Sequence, residues 1–314
     1  LITSIFLNLY LGVMLYTRLS RPTETVYVKG ETQHRIVILP VDELIDSETA
    51  SFMRDSLHHL KVNPPAALVL RVDSPGGTVG ASDRIHDLIG RFKTSTNGQV
   101  PIVASFGPVA ASGGYYVAAG ADHIVAEPGC ITGSIGVMRI GFTFKGLMDK
   151  IGVTPEIMTA TGGERKELAN NAFRDWTDED RALTRKLLDH HYQRFKDIVQ
   201  NGRGQKLTPG LEIVANGDVF TTSEAISHGL VDSEGYLDEA IDQAKQLEKI
   251  PAQVKPQVTV MRPAKTFGIF AVPGYHRSTL DQGITGQHVR SWLAELTVPR
   301  FEYRLDSSLM GRGP

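Results

Sequence analysis

Four short segments of almost unbroken apolar character, separated by longer amphipathic stretches, limit most strongly what this chain can fold into. The segments are Arg35–Val41, Ala66–Val72, Pro101–Phe106 and His123–Glu127. Strands that are apolar on both faces and alternate with helices are typical of a parallel sheet covered on both sides. The sequence therefore predicts an α/β fold with a parallel sheet at its core.

Helix signals lie between and after these strands. Ser47–Leu60 follows a cap at Asp46 or Ser47, and Thr177 with Asp180 forms a capping box that opens a long helix. The pattern also predicts a turn at Gly107-Pro108 and a strand at Pro155–Thr159. After Ile250 the chain is repeatedly broken by proline, and the pattern does not assign the elements of this part.

Composition excludes several classes of function. The 314 residues carry 33 Lys and Arg against 35 Asp and Glu, so no basic surface for a nucleic acid is indicated. A single cysteine, Cys130, rules out an intramolecular disulfide and a cysteine zinc site. The chain contains no H-E-x-x-H motif, no P-loop and no dinucleotide fingerprint. We therefore predict neither a metal nor an organic cofactor.

The N-terminal segment Leu1–Tyr16 is uncharged and mostly apolar, and Arg18 and Arg21 follow it. A helix that spans a bilayer needs about 20 such residues. Because the sequence begins with Leu rather than Met, we expect a membrane anchor of which part is missing. A cleaved signal peptide, or an amphipathic or core helix, is the alternative. The two arginines alone would favour a cytoplasmic C-terminal side, but the upstream flank that shares in setting orientation is not visible.

Ser112 stands among small residues where the third strand runs into a helix. Its neighbours are Ala110, Ala111, Gly113 and Gly114. Amide groups at the start of a helix stabilise developing negative charge, as an acyl-transfer nucleophile requires. On these residues alone, close packing of small residues at a strand–helix junction is the better explanation, and the rest of the chain has to decide. The G-x-S-x-G elbow of α/β-hydrolases is absent, because position 110 is alanine.

A nucleophilic serine needs a base, and none of the ten histidines lies in a recognisable motif. A lysine can replace histidine if burial or nearby charge lowers its pKa. Ser-Lys pairs are a known variant of the catalytic triad. A histidine base stays possible on the residues alone, but it has no motif to support it.

Five motifs follow one another in an order that resembles the signal peptide peptidase A family of Ser-Lys proteases. They are DSPGG at 73–77, ASGGYY at 111–116, TGSIGV at 132–137, Lys166 in GERKELANNAFR, and NGDVFTTSEAISHGLVD at 216–232. The resemblance covers residues 35–244. It implies the spiral fold of ββα units shared by Clp protease and crotonase proteins.

The resemblance also implies a role for each matching residue. The nucleophile would be Ser112, the general base Lys166 and the serine that orients the lysine Ser134, with oxyanion donors at the backbone amides of Gly113 and of Gly76 or Gly77. Without the resemblance, Lys166 would be interpreted as a solvated surface lysine, and Ser134 as a turn residue.

Two positions depart from the family pattern. Thr222 stands where glycine is common before a short helix, and Arg165 precedes the lysine where tyrosine is common. The first departure bears on local turn geometry. The second lies directly beside the lysine that the resemblance assigns as the base.

The resemblance implies a membrane-anchored serine endopeptidase that cleaves remnant signal peptides or other apolar, extended peptides. We expect an anchor at 1–17, a linker at 18–34, a peptidase domain at 35–250 and a C-terminal extension of unassigned role at 251–314. We also expect a homo-oligomeric ring, and a catalytic domain on the extracytoplasmic side of the cell membrane. A crotonase-type acyl-CoA enzyme and an inactive scaffold of a membrane complex are the alternatives.

Overall fold

The computed structural model describes residues 22–263, except Asn170 and Pro209, and residues 302–304. Ten strands in these described residues form one sheet. They are β1 (Thr23–Val28), β2 (Glu31–Ile45), β3 (Ala67–Thr78), β4 (Ile102–Ala111), β5 (His123–Ala126), β6 (Ile131–Gly133), β7 (Val219–Thr221), β8 (Ser233–Glu234), β9 (Pro256–Arg262) and β10 (Glu302–Arg304).

The main path through the sheet is β1-β9-β2-β3-β4-β5-β8. Neighbours from β9 to β8 are parallel, and β1 is antiparallel to β9. Strand β6 pairs in parallel with the end of β4, and β7 pairs with β6. Strand β10 lies antiparallel to the end of β3. The predicted α/β fold with a parallel core is confirmed.

Helices connect the parallel strands. They are α1 (Ser47–Val62), α2 (Val79–Ser95), α3 (Gly113–Ala118), α4 (Lys145–Ile151), α5 (Asp178–Arg203), α6 (Leu211–Val214), α7 (Thr222–Ser227) and α8 (Leu237–Leu247), with a 3-10 turn at Glu164–Glu167. Asp46 caps α1 by accepting the amides of Glu48 and Thr49. The predicted capping box of Thr177 and Asp180 opens α5.

Both faces of the sheet are buried, which explains the unbroken apolar segments. In β3, Leu68 and Leu70 join the larger core under α1, α2 and α3, whereas Ala67 and Val69 join a smaller core under α8. Alternate side chains of one strand therefore reach two different cores.

The turn predicted at Gly107-Pro108 is wrong, because β4 continues to Ala111. Up to Phe106 the strand pairs with β5, and from Val109 it pairs with β6. A Cβ atom at Gly107 would lie 3.1 Å from atoms of Arg71 and Asp73. Glycine and proline thus mark the point where the strand exchanges neighbours, not a reversal of the chain.

Three further expectations differ from the structure. The strand predicted at Pro155–Thr159 is absent, and those residues are exposed without a pairing partner in the described sheet. The expected linker at 18–34 contains β1 and the start of β2, and the extension from 251 contains β9. Strands β1 and β9 pair with each other, and β9 also pairs with β2, so the sheet extends beyond the limits 35–250. Neither strand was predicted, because each is defined by pairing with distant residues rather than by a local pattern.

Within the described range, no helix is both long and apolar enough to cross a bilayer. The expected anchor at Leu1–Tyr16 lies outside the described residues.

Candidate active site

Ser112 lies on a strained turn between β4 and α3. Its φ of 53° and ψ of −114° are unusual for a residue with a side chain, and such a conformation costs roughly 1–3 kcal/mol. The residue is buried, and its hydroxyl has no hydrogen-bond partner among the described residues. A strained serine between strand and helix, with an unengaged hydroxyl, is what a nucleophile requires. Packing alone explains the small neighbours but not this conformation.

The glycines beside Ser112 are required by space. A Cβ atom at Gly113 would lie 2.6 Å from Ser82 Oγ and 3.0 Å from the amide nitrogen of Gly77. A Cβ atom at Gly114 would lie 2.8 Å from the carbonyl oxygen of Ser74. The residue after the nucleophile therefore lies against the end of β3, as the predicted oxyanion pair requires.

The two candidate donors in β3 differ. The amide of Gly76 donates to Ser74 Oγ at 3.1 Å, and that hydroxyl donates to the carbonyl of Glu43. The amide of Gly77 is the one beside Gly113, and a Cβ atom there would lie only 2.0 Å from the carbonyl oxygen of Ile45. The geometry favours Gly77 over Gly76 as the second donor.

Ser134 follows β6 as Ser112 follows β4. The two strands pair in parallel with Ala111 opposite Gly133, and the amide of Ser112 donates to the carbonyl of Gly133 at 2.8 Å. Ser134 has a φ of 50°, and its amide donates to the carbonyl of Asp218 at 2.6 Å. The structure thus places the predicted nucleophile and the predicted orienting serine at neighbouring strand ends.

Thr222, which departs from the family pattern, is buried. Its hydroxyl donates to the carbonyl of Glu127 at 2.5 Å. This bond ties the start of α7 to the turn before β6. The threonine is therefore accommodated without loss of the local turn.

Lys166 lies in the 3-10 turn Glu164–Glu167, and its side chain is exposed in the single chain. Ser112, by contrast, is buried. The structure therefore brings together the two serines and the three glycines, but it does not bury the predicted base.

Sequence reasoning missed the residue that holds the lysine segment in place. Arg174 pairs with Glu167 at 2.7 Å and with Asp180 at 2.6 Å, and Asp180 also accepts the amide of Ala169 at 2.7 Å. The Arg174 guanidinium holds the pKa of Asp180 well below its usual range. The capping box signalled Asp180, but no local pattern signals an arginine partner six residues before it.

A second missed group connects α3 to α2 and α5. The Tyr116 hydroxyl donates to Asp83 at 2.7 Å, and Arg194 pairs with the same carboxylate at 2.6 Å. Burial alone would raise the pKa of Asp83, but these two hydrogen bonds outweigh it and lower the pKa. The amide of Tyr116 donates to the carbonyl of Ser112, so the network fixes the helix that carries the nucleophile.

An open pocket of about 610 Å³ adjoins the site. It is lined by Thr78, Val79, Gly80, Asp83, His190, His191 and Arg194. Because Thr78 directly follows Gly77, a peptide bound at the end of β3 would pass the mouth of this pocket.

No group of metal-ligating side chains occurs in the described part of the chain. The lone thiol, Cys130, is buried, and burial raises its pKa to about 12. Cys130 is therefore inert as a nucleophile.

Comparison with known proteins shows the family to which the chain belongs. The model of peptidase family S49 matches residues 95–251, and the Clp protease model matches residues 24–130. An Enterococcus faecium protein named signal peptide peptidase SppA is 31% identical over 240 residues, which are 73% of this chain and 68% of that protein.

Two further relatives differ in length. A Synechocystis protein named as a protease is 34% identical over 68% of this chain and 74% of its own length. Protease 4 of Haemophilus influenzae is 37% identical over 59% of this chain but only 29% of its own length. The match thus spans about two thirds to three quarters of the shorter relatives, and less than a third of the longer one.

Proposed function

The chain belongs to peptidase family S49 and is a serine peptidase, and from this premise we propose that Ser112 is its nucleophile and Lys166 its general base. One observation carries the choice of nucleophile. Ser112 is a strained, buried serine with an unengaged hydroxyl, and Gly113 lies against Gly77 beside it.

The proposed reaction passes through an acyl-enzyme. Lys166 Nζ takes the proton of Ser112 Oγ, and the oxygen attacks the scissile carbonyl carbon. The amides of Gly113 and Gly77 stabilise the oxyanion. The protonated lysine then gives its proton to the leaving amine, and water, activated by the same lysine, releases the acid product. Ser134 positions the lysine.

The proposed substrates are extended, apolar peptides, including remnants of signal peptides. The name of the Enterococcus relative supports this class. A peptide pairs with a sheet edge only when it is extended, and the carboxyl end of β3 has such an edge beside Ser112, where the short strand β10 pairs with it. The pocket that begins at Thr78 would receive a side chain of the bound peptide.

The base needs a cover that the described residues do not provide. A lysine serves as a base only when its surroundings disfavour the ammonium form, and Lys166 is exposed. Residues 140–158, which precede the turn that carries Lys166, also leave several large apolar side chains exposed. These are Ile140, Phe142, Leu147, Ile151, Val153, Ile157 and Met158. We propose that a second copy covers this face in a ring-shaped homo-oligomer, and that this contact buries Lys166 beside a Ser112.

We also propose that Leu1–Tyr16 anchors the protein in the cell membrane, with the catalytic domain on the extracytoplasmic side. The support is the uncharged, apolar character of that segment.

Labelling with a fluorophosphonate tests the two catalytic residues. We expect the wild type to be labelled, and both Ser112→Ala and Lys166→Ala to lose labelling and hydrolysis of an apolar peptide. Lys150→Ala is the matched control, because it removes another exposed lysine, in α4, and it should label normally. An acyl-CoA enzyme or an inactive scaffold would show no labelling at Ser112, and labelling that survives Lys166→Ala would exclude that lysine as the base.

Mixing the two inactive variants tests whether neighbouring copies share a site. If Lys166 of one copy serves Ser112 of the next, a mixture of Ser112→Ala and Lys166→Ala chains regains part of the activity. No recovery in mixed oligomers would place both residues of the pair in one chain.

A further inference from the structure

Arg139 connects the segment that follows Ser134 to the segment that follows Lys166. Its guanidinium Nη2 donates to the carbonyl of Ala169 at 2.9 Å, and the two partners are 30 residues apart in the sequence. Arg139 comes shortly after Ser134, and Ala169 comes shortly after Lys166. One hydrogen bond therefore joins the stretch that leaves the predicted orienting serine to the stretch that leaves the predicted base.

Ala169 has a backbone conformation that needs support from its surroundings. Its φ is 60°, in the left-handed region that residues with a side chain seldom adopt. The residue is buried, and charged side chains hold both its amide and its carbonyl. The amide donates to Asp180 at 2.7 Å, and the carbonyl accepts from Arg139. The conformation is thus fixed from two sides, and it sets the direction in which the chain leaves the turn of Lys166.

Arg139 is half-buried, and it is held by contacts other than an ion pair. Its guanidinium carbon lies 4.6 Å from the ring centre of Trp176, which is a cation–π contact. Burial lowers the pKa of the guanidinium, and no carboxylate of the described residues counters this effect. Its Nε is buried and has no hydrogen-bond partner among the same residues. Because burying a guanidinium without a carboxylate costs free energy, stability alone does not explain Arg139.

A second contact joins the same two segments farther along the chain. The amide of Phe144 donates to the carbonyl of Ala172 at 2.6 Å, and the ring centres of Phe144 and Phe173 lie 6.2 Å apart. These contacts keep the segments together without Arg139. Loss of the arginine should therefore change the turn of Lys166 rather than separate the two segments.

Resting on the proposed function, in which Lys166 is the general base, we propose that Arg139 is a positioning residue for that base. Its hydrogen bond to Ala169 fixes the turn that presents Lys166, whether the lysine serves Ser112 of its own chain or of a neighbouring copy. Arg139 acts through the backbone and takes no part in the proton transfer. A displacement of about 1 Å at a reacting group can lower the rate about a hundredfold, so fixing this turn controls the rate.

Arg139→Gln tests the proposal, because it removes the guanidinium and leaves a side chain of intermediate size. We expect kcat for hydrolysis of an apolar peptide to fall by about tenfold or more, while KM is unchanged because the substrate contacts are intact. The acidic limb of the pH dependence of kcat/KM should also move to higher pH. A lysine that swings into water keeps its proton more readily than one that is held in a covered site.

Two further variants accompany this measurement. Arg139→Lys keeps a positive charge and a donor for the carbonyl of Ala169, so it should recover part of kcat. Arg185→Gln, at an exposed position of α5, loses the same charge and is the matched control. It should keep the kcat and the pH profile of the wild type. If Arg139→Gln does not fold, Arg139→Lys provides the same comparison with a smaller fall in kcat.

The outcomes separate this proposal from the proposed function. If Lys166→Ala loses fluorophosphonate labelling while Arg139→Gln keeps the wild-type kcat and pH profile, Arg139 has no positioning role. If Lys166→Ala is still labelled, the choice of base is wrong whatever Arg139 does. A lower kcat with an unmoved acidic limb, or with dissociation in analytical ultracentrifugation, would assign Arg139 to stability or to a contact between copies, and would overturn its positioning role.

Discussion

At the scale of single residues, the site depends on backbone conformations and spacings that few side chains tolerate. Ser112 and Ser134 both have a positive φ, and Gly77 and Gly113 have no room for a Cβ atom. Small residues in the sequence indicated close packing at this junction. They did not indicate that the serine itself is strained, because the strain comes from the pairing of β4 with β6 and from the contact with β3.

Replacing Ser112 with glycine should stabilise the chain while it abolishes hydrolysis. Glycine adopts a positive φ without strain, and the change removes a buried hydroxyl that has no partner among the described residues. We expect the free energy of unfolding, measured by urea denaturation, to rise by about 1 kcal/mol.

The control for this prediction is Ser51→Gly, in the interior of α1, where the helical backbone gains nothing from glycine. That change should lower the free energy of unfolding by about 0.5–1 kcal/mol. A Ser112→Gly chain that is no more stable than the wild type would show that the turn stores no strain.

At the scale of secondary-structure elements, charged pairs fix helices to the sheet. The buried guanidinium of Arg203, at the end of α5, donates to Asp232 and to the carbonyl of Gly229. Asp232 in turn accepts the amide of Ile124 in β5 at 2.8 Å. One carboxylate therefore connects a long helix to the sheet.

Asp232→Asn should destabilise the chain by about 3 kcal/mol or more at pH 7, since it leaves the buried charge of Arg203 unpaired. Burial alone would raise the pKa of Asp232, but hydrogen bonds from Arg203 and Lys206 outweigh it and lower the pKa to about 2. The folded pKa is thus below the unfolded value of about 3.9. The contribution is therefore complete above about pH 4 and is lost as pH falls towards 2.

Urea denaturation at a series of pH values measures this dependence. The difference between wild type and Asp232→Asn should be constant from pH 7 to about pH 4.5 and shrink below it. Asp189→Asn, at an exposed position of α5, should match the wild type throughout. A difference that does not change with pH would exclude the ionised carboxylate as its cause.

The sequence predicts most helices and strands, but not the point at which a strand changes its pairing partner. The buried strands were recognisable because both faces carry apolar residues. Strand β1 lies at the edge of the sheet with most of its residues exposed, and β9 follows repeated prolines, so neither has a strong local pattern. Gly107-Pro108 has the composition of a turn, and only the pairing of β4 with β6 keeps it in a strand.

At the scale of the whole molecule, a single chain provides most of the site but leaves Lys166 and the apolar side chains of residues 140–158 exposed. The order of motifs along the sequence indicated which residues would form the site. It could not indicate how they are covered, because the burial that we propose for a second copy would not be encoded in a local pattern. Among the predicted roles, that of the exposed Lys166 as the base is thus the one that depends most on self-association of the chain.

Ile151→Asp should weaken self-association and reduce labelling of Ser112 together. Ile151 is 58% exposed and is one of the exposed apolar side chains of residues 140–158, and a carboxylate buried in a contact between copies is costly. Analytical ultracentrifugation measures the assembly, and the rate of fluorophosphonate labelling measures the site. Val62→Asp, at another exposed apolar position in α1, should change neither. If Ile151→Asp dissociates the assembly without lowering the rate of labelling, the site does not depend on self-association.

The divergence of β4 from β3 after Ser74 leaves a gap one strand wide beside the nucleophile. A gap of that width admits a peptide in the extended conformation but not a helical one, whatever its side chains. The diameter of a helix is about twice the distance between neighbouring strands. A substrate that is helical in a membrane must therefore unwind before it is cut. Among peptides with the same residues at the cleavage point, those that unwind most easily should be hydrolysed fastest.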